Sequence, residues 1–438
     1  MTTAAAPHAE LAARPSGRVR WVVCGLLFLA VALSYVDRQV LSVLKPTLQK
    51  SYGWTETGYG DVVFWFQAAY GLGYVAFGRI VDRIGARAGF ALAVSLWTIG
   101  HMAHALARST VGFAIARIPL GLGESGTFPA SLAAVAEWFP QRERALAIGL
   151  FNAGSNVGAI VAPLLVPVIA LAMGWQWAFI LTGLLTVVWL AAWLAFYRKP
   201  SQQPKVSAAE LAYIQSDPQP AQTPVPWSRL LATRETWAYI LGRFLIDPVW
   251  WTFLFWLPDF FNRRYGVDMT AFGPPLVVIY VLADVGSVLG GWGSSRLLKA
   301  GLPPNRARKL AMLACALVVT PVAFASAAPN LWIATLLIGL ATAGHQGFSA
   351  NVYALPSDLF PKWAVGSVVG LGGLGGAVGG MLMAKYAGWI LQTVGSYQPI
   401  FVAAAGAYLV ALLVIHLITP AYRPAVFGHA TAQAAHSQ

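Results

Sequence analysis

The sequence predicts an all-α polytopic membrane protein, with twelve transmembrane helices in two pseudo-symmetric six-helix bundles. Three observations carry this expectation. Hydrophobic residues fill 58% of the 438 positions and charged residues only 10%, whereas a soluble protein carries about 25% charge. Apolar runs long enough to cross a bilayer, roughly 20 residues each, recur along the chain. One segment occurs twice, 221 residues apart: Gly123-Glu124-Ser125-Gly126 returns as Gly344-His345-Gln346-Gly347, Phe139-Pro140 as Phe360-Pro361, and Gly149, Gly154 and Gly158 as Gly370, Gly375 and Gly379. A duplicated polar knot inside apolar runs is how a two-halved membrane protein builds a central site.

Taken in order, an N-tail (1–19) carries Arg14 and Arg18, with Arg20 just after it, ahead of the first apolar run. That run holds polar residues late and shows no clear cleavage site, so it reads as a retained helix rather than a signal peptide. Spans are expected at 20–46, 59–80, 87–107, 110–138, 145–171 and 175–197, forming one bundle (20–197). A linker rich in Pro, Gln and Ser (198–235) follows, with Ser207 and Glu210 spaced as a capping box for one short surface helix. The second bundle (236–419) holds spans at 236–262, 272–295, 308–326, 331–358, 364–392 and 397–419, before a C-tail (420–438). Cys24 and Cys315 both fall in apolar runs, which argues against a disulfide framework.

The net charge of +13 raises nucleic acid as a partner, but its distribution argues otherwise. With the N-terminus inside, most of the 29 Lys and Arg fall in cytoplasmic segments, leaving Lys45, Lys50, Arg108, Arg263 and Arg264 for the outer loops. This is the positive-inside pattern. It places both termini in the cytoplasm of an inner-membrane protein whose partner is the bilayer, with no nucleic acid. A monomer without cofactor is expected. His101 and His104 have metal-ligand spacing, but no acidic residue or Cys stands near them in sequence, so no metal is expected either.

Ionised side chains at mid-bilayer cost roughly 3 kcal/mol or more and normally face a cavity or a partner. Arg38, Arg117 and Arg243 lie within spans, as do Asp37, Glu124, Asp247 and Asp284. Arg117 and Glu124 are two turns apart on one helical face. With Asp37 and Arg38 at similar depth, four charges from two helices are expected in one cavity. Arginine binds carboxylate through a planar fork, and a buried carboxyl exchanges protons more readily near neutrality. The pattern suggests uptake of a small organic anion coupled to protons, set against a purely structural ion network. In span seven, Arg243 and Asp247 are one turn apart, and Pro248 is expected to break or kink the helix. His345 stands at the repeat position of Glu124, with Asn351 and Tyr353 following on its span. Asn152, Ser155 and Asn156 share a face of span five and suit either ligand hydroxyls or helix bridging. By depth, Tyr35, Tyr70, Trp250 and Trp256 stand apart from the interfacial aromatic belts.

The loop after span two reads Gly78-Arg79-Ile80-Val81-Asp82-Arg83-Ile84-Gly85-Ala86-Arg87. Here the chain resembles the major facilitator superfamily, and the likeness extends over its whole length. The resemblance implies that Asp82, Arg83 and Arg87 act in gating. Within that superfamily, Tyr35-Val36-Asp37-Arg38, the stretch from Arg117 to Glu124, the run from Arg243 to Trp250, Ala283-Asp284-Val285-Gly286 and His345-Gln346 resemble the anion:cation symporters, hexuronate carriers most of all. That likeness implies import of a sugar acid, galacturonate or glucuronate, with protons. It assigns Arg38, Arg117 and Tyr70 to substrate, and Asp37 and Glu124 to proton coupling. Tyr35, Asn152, Asn156, Arg243, Trp250, His345, Gln346, Asn351 and Tyr353 complete the candidate substrate set. A carrier of aldonates, aldarates or other carboxylates is the nearest alternative. A non-transporting sensor predicts an appended signalling domain, and a membrane enzyme predicts a nucleophile or metal cluster at an interface; the sequence presents neither.

Overall fold

The computed structural model describes residues 17–216, 226–423 and 425, so Arg14 lies outside the described residues. Among them there is helix and no strand. The first half comprises α1 (Val19–Tyr52), α2 (Glu56–Ala103), α3 (Thr110–Ser125), α4 (Thr127–Trp138), α5 (Gln141–Met173) and α6 (Trp175–Phe196). Two short helices follow, α7 (Ala208–Ile214) and α8 (Trp227–Leu231). The second half comprises α9 (Arg234–Tyr265), α10 (Gly273–Lys299), α11 (Pro304–Val319), α12 (Leu331–Leu359), α13 (Lys362–Thr393) and α14 (Gln398–Ile418).

Among the described residues, ten helices are long and apolar enough to cross a membrane. Two local features reconcile this number with twelve spans. Spans two and three run together as α2, broken at Gly85, whose φ of 79° lies in the region open to glycine. Span four is divided into α3 and α4, each too short to count alone, because the Gly126 N–H bonds back to Gly123 O at 3.0 Å, three residues away, and tightens the turn.

The repeat explains how each half is packed. A Cβ at Gly154 or Gly158 would lie 2.3 Å from Phe28 O or 2.2 Å from Ala32 O, so α5 meets α1 backbone to backbone. Their twins do the same in the second half: a Cβ at Gly375 would lie 2.9 Å from Ile240 O and one at Gly379 2.3 Å from Phe244 O, seating α13 on α9. Small residues permit this close approach where lipid supplies no hydrophobic drive between helices. Pro140 and Pro361 each cap the following helix with nearly the same backbone angles. Pro248 does not break its span, because α9 runs without interruption from Arg234 to Tyr265. One missing donor is tolerated where a neighbouring helix closes over the site, and Gly379 packs against both Phe244 O and the Pro248 ring.

The short linker helix begins as expected, with Glu210 N–H donating to Ser207 Oγ at 3.2 Å. The Glu210 side chain does not complete a capping box. It accepts from Arg20 Nη1 at 3.1 Å, while Arg20 Nε donates to Glu143 at 2.9 Å and Tyr213 donates to Glu143 at 2.8 Å. Arg20 is therefore buried as the anchor that holds α7 on the first half.

The halves meet mainly along α2 and α13. A Cβ on Gly60 would lie 2.7 Å from Ala384 O, and one on Gly71 would lie 3.0 Å from Ala377 Cβ. Every ion pair between the halves among the described residues lies at the end remote from the linker. There Lys45 Nζ, on α1, sits 2.8 Å from Glu56 and 2.7 Å from Asp259. Arg263 reaches both Asp259, at 2.8 Å, and Glu56, and Lys385 pairs with Asp61. Tyr59 OH donates to Phe255 O at 2.7 Å, and Ser42 Oγ lies 2.9 Å from Leu254 O. Lys45 is fully buried here, so it is not the outer-loop residue expected from sequence. At the linker end, by contrast, Asn152 and Tyr353 are exposed. The halves are thus ion-paired at the far end, and among the described residues no ion pair joins them at the linker end.

Candidate functional site

Below the seal, α1 and α3 bring three charges together. Arg38 Nε and Nη2 both donate to Glu124 Oε2, at 2.8 and 2.6 Å. The Arg38 guanidinium lies within an aromatic box, 4.6 Å from the Tyr35 ring centre, 4.8 Å from Trp251, 5.1 Å from Tyr70 and 5.4 Å from Phe66. Such rings favour a cation electrostatically. Arg117 is buried beside them, 5.2 Å from Phe66, and donates only Nη2 to Arg38 O at 3.4 Å. Its Nε and Nη1 have no partner, and neither does Glu124 Oε1. Two guanidiniums against one carboxylate leave one positive charge uncompensated, with a donor pair free to take a second carboxylate.

Asp37 does not join this group, contrary to the expected four-charge cavity. Consecutive residues of a helix point about 100° apart, so when Arg38 faces the space between the halves, Asp37 faces the interior of the first bundle. There it accepts from Trp97 Nε1 at 3.2 Å and Thr186 Oγ1 at 3.1 Å, and His101 Nε2 approaches its other oxygen at 3.2 Å. An acidic residue thus does accompany the histidine pair, although sequence spacing did not show it. No group of three or more potential metal ligands forms among the described residues.

The second half contributes a more self-contained set. Arg243 pairs with Asp247 through Nε at 2.7 Å and Nη2 at 2.6 Å, lies 4.7 Å from the Tyr353 ring centre, and reaches Tyr239 OH at 3.4 Å. His345 stacks on Trp250 with ring centres 5.2 Å apart; its Nδ1 lies 2.6 Å from Tyr408 OH and its Nε2 3.4 Å from Ser349 Oγ. Both ring nitrogens are therefore engaged within the half. Asn351 bridges α12 to α10 by donating to Gly347 O and Gly290 O, and it contributes to helix packing. Gln346 is half-buried. Asn156 donates to Asp284 across the halves, whereas Asn152, one turn nearer the linker end, is exposed. Of the gating candidates, Asp82 and Arg83 are exposed, and Arg87 bonds to Leu194 O at 2.5 Å on its own half.

Sequence reasoning missed Trp251, Gln67 and the charges of the seal. Trp251 is adjacent to the selected Trp250 but faces Arg38. Gln67 is fully buried with neither amide atom partnered. It stands one turn before Tyr70, on the same face, and that spacing was the available signal.

Residues 27–348 match the Major Facilitator Superfamily sequence profile. The hexuronate transporter of Escherichia coli (strain K12) is 32% identical over 404 residues, covering 91% of this chain and 93% of that protein. The galacturonate transporter of Dickeya chrysanthemi is 35% identical over 280 residues, covering 63% and 81%. The D-galactonate transporter of Escherichia coli O6:H1 is 28% identical over 421 residues, covering 93% and 97%. Among solved structures, a bacterial homologue of the human lysosomal transporter Spinster, in its inward-facing and occupied conformation, superposes with a TM-score of 0.74 at 18% identity, covering 93% of this chain and 98% of that one, and it shares the fold.

Proposed function

Because the chain belongs to the major facilitator superfamily, we propose that it is a secondary transporter that imports an anionic sugar acid, a hexuronate such as galacturonate or glucuronate, together with protons. The carrying observation is the buried Arg117, whose Nε and Nη1 have no partner beside the Arg38–Glu124 pair. A substrate carboxylate supplies both the missing acceptor and the missing charge. Tyr35, Tyr70 and Trp251 present ring faces for a sugar, and the unpartnered Gln67 amide suits its hydroxyls. Relatives named for hexuronate and galacturonate support the substrate class.

In this reading the linker end is cytoplasmic, in the inner membrane, and the sealed end faces outward. A molecule latched at its outer end is then the inward-facing stage of alternating access. Protonation of Glu124 frees Arg38 for substrate, and its deprotonation on the cytoplasmic side restores the pair and displaces the anion. Asp37 exchanges protons from the bundle interior. The Asp82, Arg83 and Arg87 loop closes the cytoplasmic side in the opposite state.

A thermal-shift screen of sugar acids on purified protein, repeated with Arg117→Ala, tests the binding reading. A galacturonate-dependent shift present in the parent and absent in the variant is expected. Counterflow of labelled galacturonate in liposomes provides the transport test. Failure of every sugar acid to bind or exchange would overturn it.

A further inference from the structure

Asp37 faces a buried path of titratable side chains that leads toward the sealed end. From His104, which caps the C-terminus of α2, the order runs back along the helix to His101 and then Trp97, with Asp37 reached from α1 and Thr182 and Thr186 from α6. Asp37, His101 and His104 are all fully buried. His104 lies at the far end of α2, four residues from the exposed Arg108. Its Nδ1 is 2.7 Å from Gly100 O, which makes that nitrogen the N–H and leaves Nε2 an acceptor without a partner. The Thr182 hydroxyl proton is taken by Ala178 O at 2.8 Å, so Thr182 Oγ1 accepts from His101 Nε2 at 2.7 Å. His101 is then the Nε2–H tautomer, with Nδ1 an unpartnered acceptor, and its N–H also lies 3.2 Å from the unpartnered Asp37 Oδ1. The two imidazole centres are 6.3 Å apart, with His104 stacked on Phe179.

Resting on the proton-coupled reading above, we propose that His101 is the proton donor to Asp37, and that His104 is the group through which protons reach His101 from the outer side. A proton accepted at His101 Nδ1 gives an imidazolium. Loss of the Nε2 proton to Asp37 Oδ1 returns a neutral ring and a carboxylic acid, so one proton enters and one is passed on. The ring is reset by a flip or by the return transfer. Buried acceptors without partners are costly in a merely structural cluster; here they lie in sequence along the path. The charged groups nearest the path are Arg117 and Glu124 from α3; α6 contributes only hydroxyls, with no ionisable side chain over Trp175–Phe196.

The test compares two assays on the reconstituted full chain: galacturonate counterflow at equal pH, and uptake driven by an inward proton gradient over a pH series. In His101→Gln, gradient-driven uptake is expected to fall at least tenfold relative to counterflow, with a flattened pH profile. His104→Gln is expected to slow uptake and shift its profile without changing the substrate KM for counterflow. Gradient-driven uptake with the parent's pH profile in both variants would overturn the proposal. If His101→Gln loses its melting transition, His101→Asn is read in its place. A parent that ignores the proton gradient overturns coupling itself, and that result appears before any variant is made.

Discussion

Replacing Asp259 with Asn should unlatch the seal at the end remote from the linker. In the closed seal, Lys45 and Arg263 face Glu56 and Asp259, two charges of each sign. The substitution leaves a buried excess of one positive charge. Removing one partner of a buried pair costs about 3–5 kcal/mol. Part of that is independent of state, because Asp259 and Arg263 are one turn apart on α9 and stay together when the halves separate. The part that distinguishes closed from open is the contact to Lys45 on the other half, about 2 kcal/mol, or roughly thirtyfold in the equilibrium between the two states. Spin labels at the exposed positions Ser51 and Thr270, on opposite halves at this end, report the distance between the halves. Asp259→Asn is expected to populate a longer distance, and adding Lys45→Met, which restores neutrality, is expected to recover most of the closed population. Such a cycle isolates the pairwise coupling. An unchanged distance distribution in Asp259→Asn would refute the assignment of this network as a gate.

Further predictions concern the site, the packing and the linker. Glu124→Gln should retain counterflow within several-fold while losing accumulation driven by a proton gradient; equal loss of both places Glu124 in binding alone. Alanine at Gly158 or Gly379, where a Cβ would meet backbone carbonyl oxygen at 2.2 or 2.3 Å, should lower stability by about 1–3 kcal/mol. The repeat partners Gly149 and Gly370 have open space around that atom and should accept alanine without loss, so four melting curves decide the matter. Arg20→Met should free α7 from the first half, read as at least tenfold faster hydrogen exchange over residues 208–214; unchanged exchange would show that Glu210 and Tyr213 hold it without the arginine.

The two-halved helical fold was legible because the bilayer restricts spanning structure to helices and sets their length. The repeat was legible for a related reason: close backbone contact tolerates only glycine, so Gly154, Gly158, Gly375 and Gly379 stand out even without coordinates. Arg38, Arg117 and Glu124 were found because a charge in an apolar run needs a partner. What sequence did not reveal was direction. Asp37 and Arg38 are neighbours in the chain yet serve different compartments of the bundle, and His101 and His104 lacked a visible acid because theirs comes from another helix. Lys45 and Arg263 looked like loop charge because their pairing with Asp259 and Glu56 depends on which end of the molecule is closed. Pro248 promised a break or a kink, and α9 runs unbroken through it with Gly379 packed against its ring.

The charge balance of the seal has an electrical consequence. When the halves part at this end, Lys45 leaves with Glu56 and Arg263 leaves with Asp259, and each pair is neutral. Parting of these four groups therefore carries no net charge through the membrane field, which acts with about 2.3 kcal/mol per unit charge per 100 mV, whereas the exposed Lys385–Asp61 pair separates into one charge of each sign. The field also acts on the central site, where two arginines and one carboxylate leave a single positive charge. With Glu124 protonated in the loaded carrier, the two arginines and the bound anion again sum to one positive charge, so voltage should register on the loaded carrier as it does on the empty, ionised one.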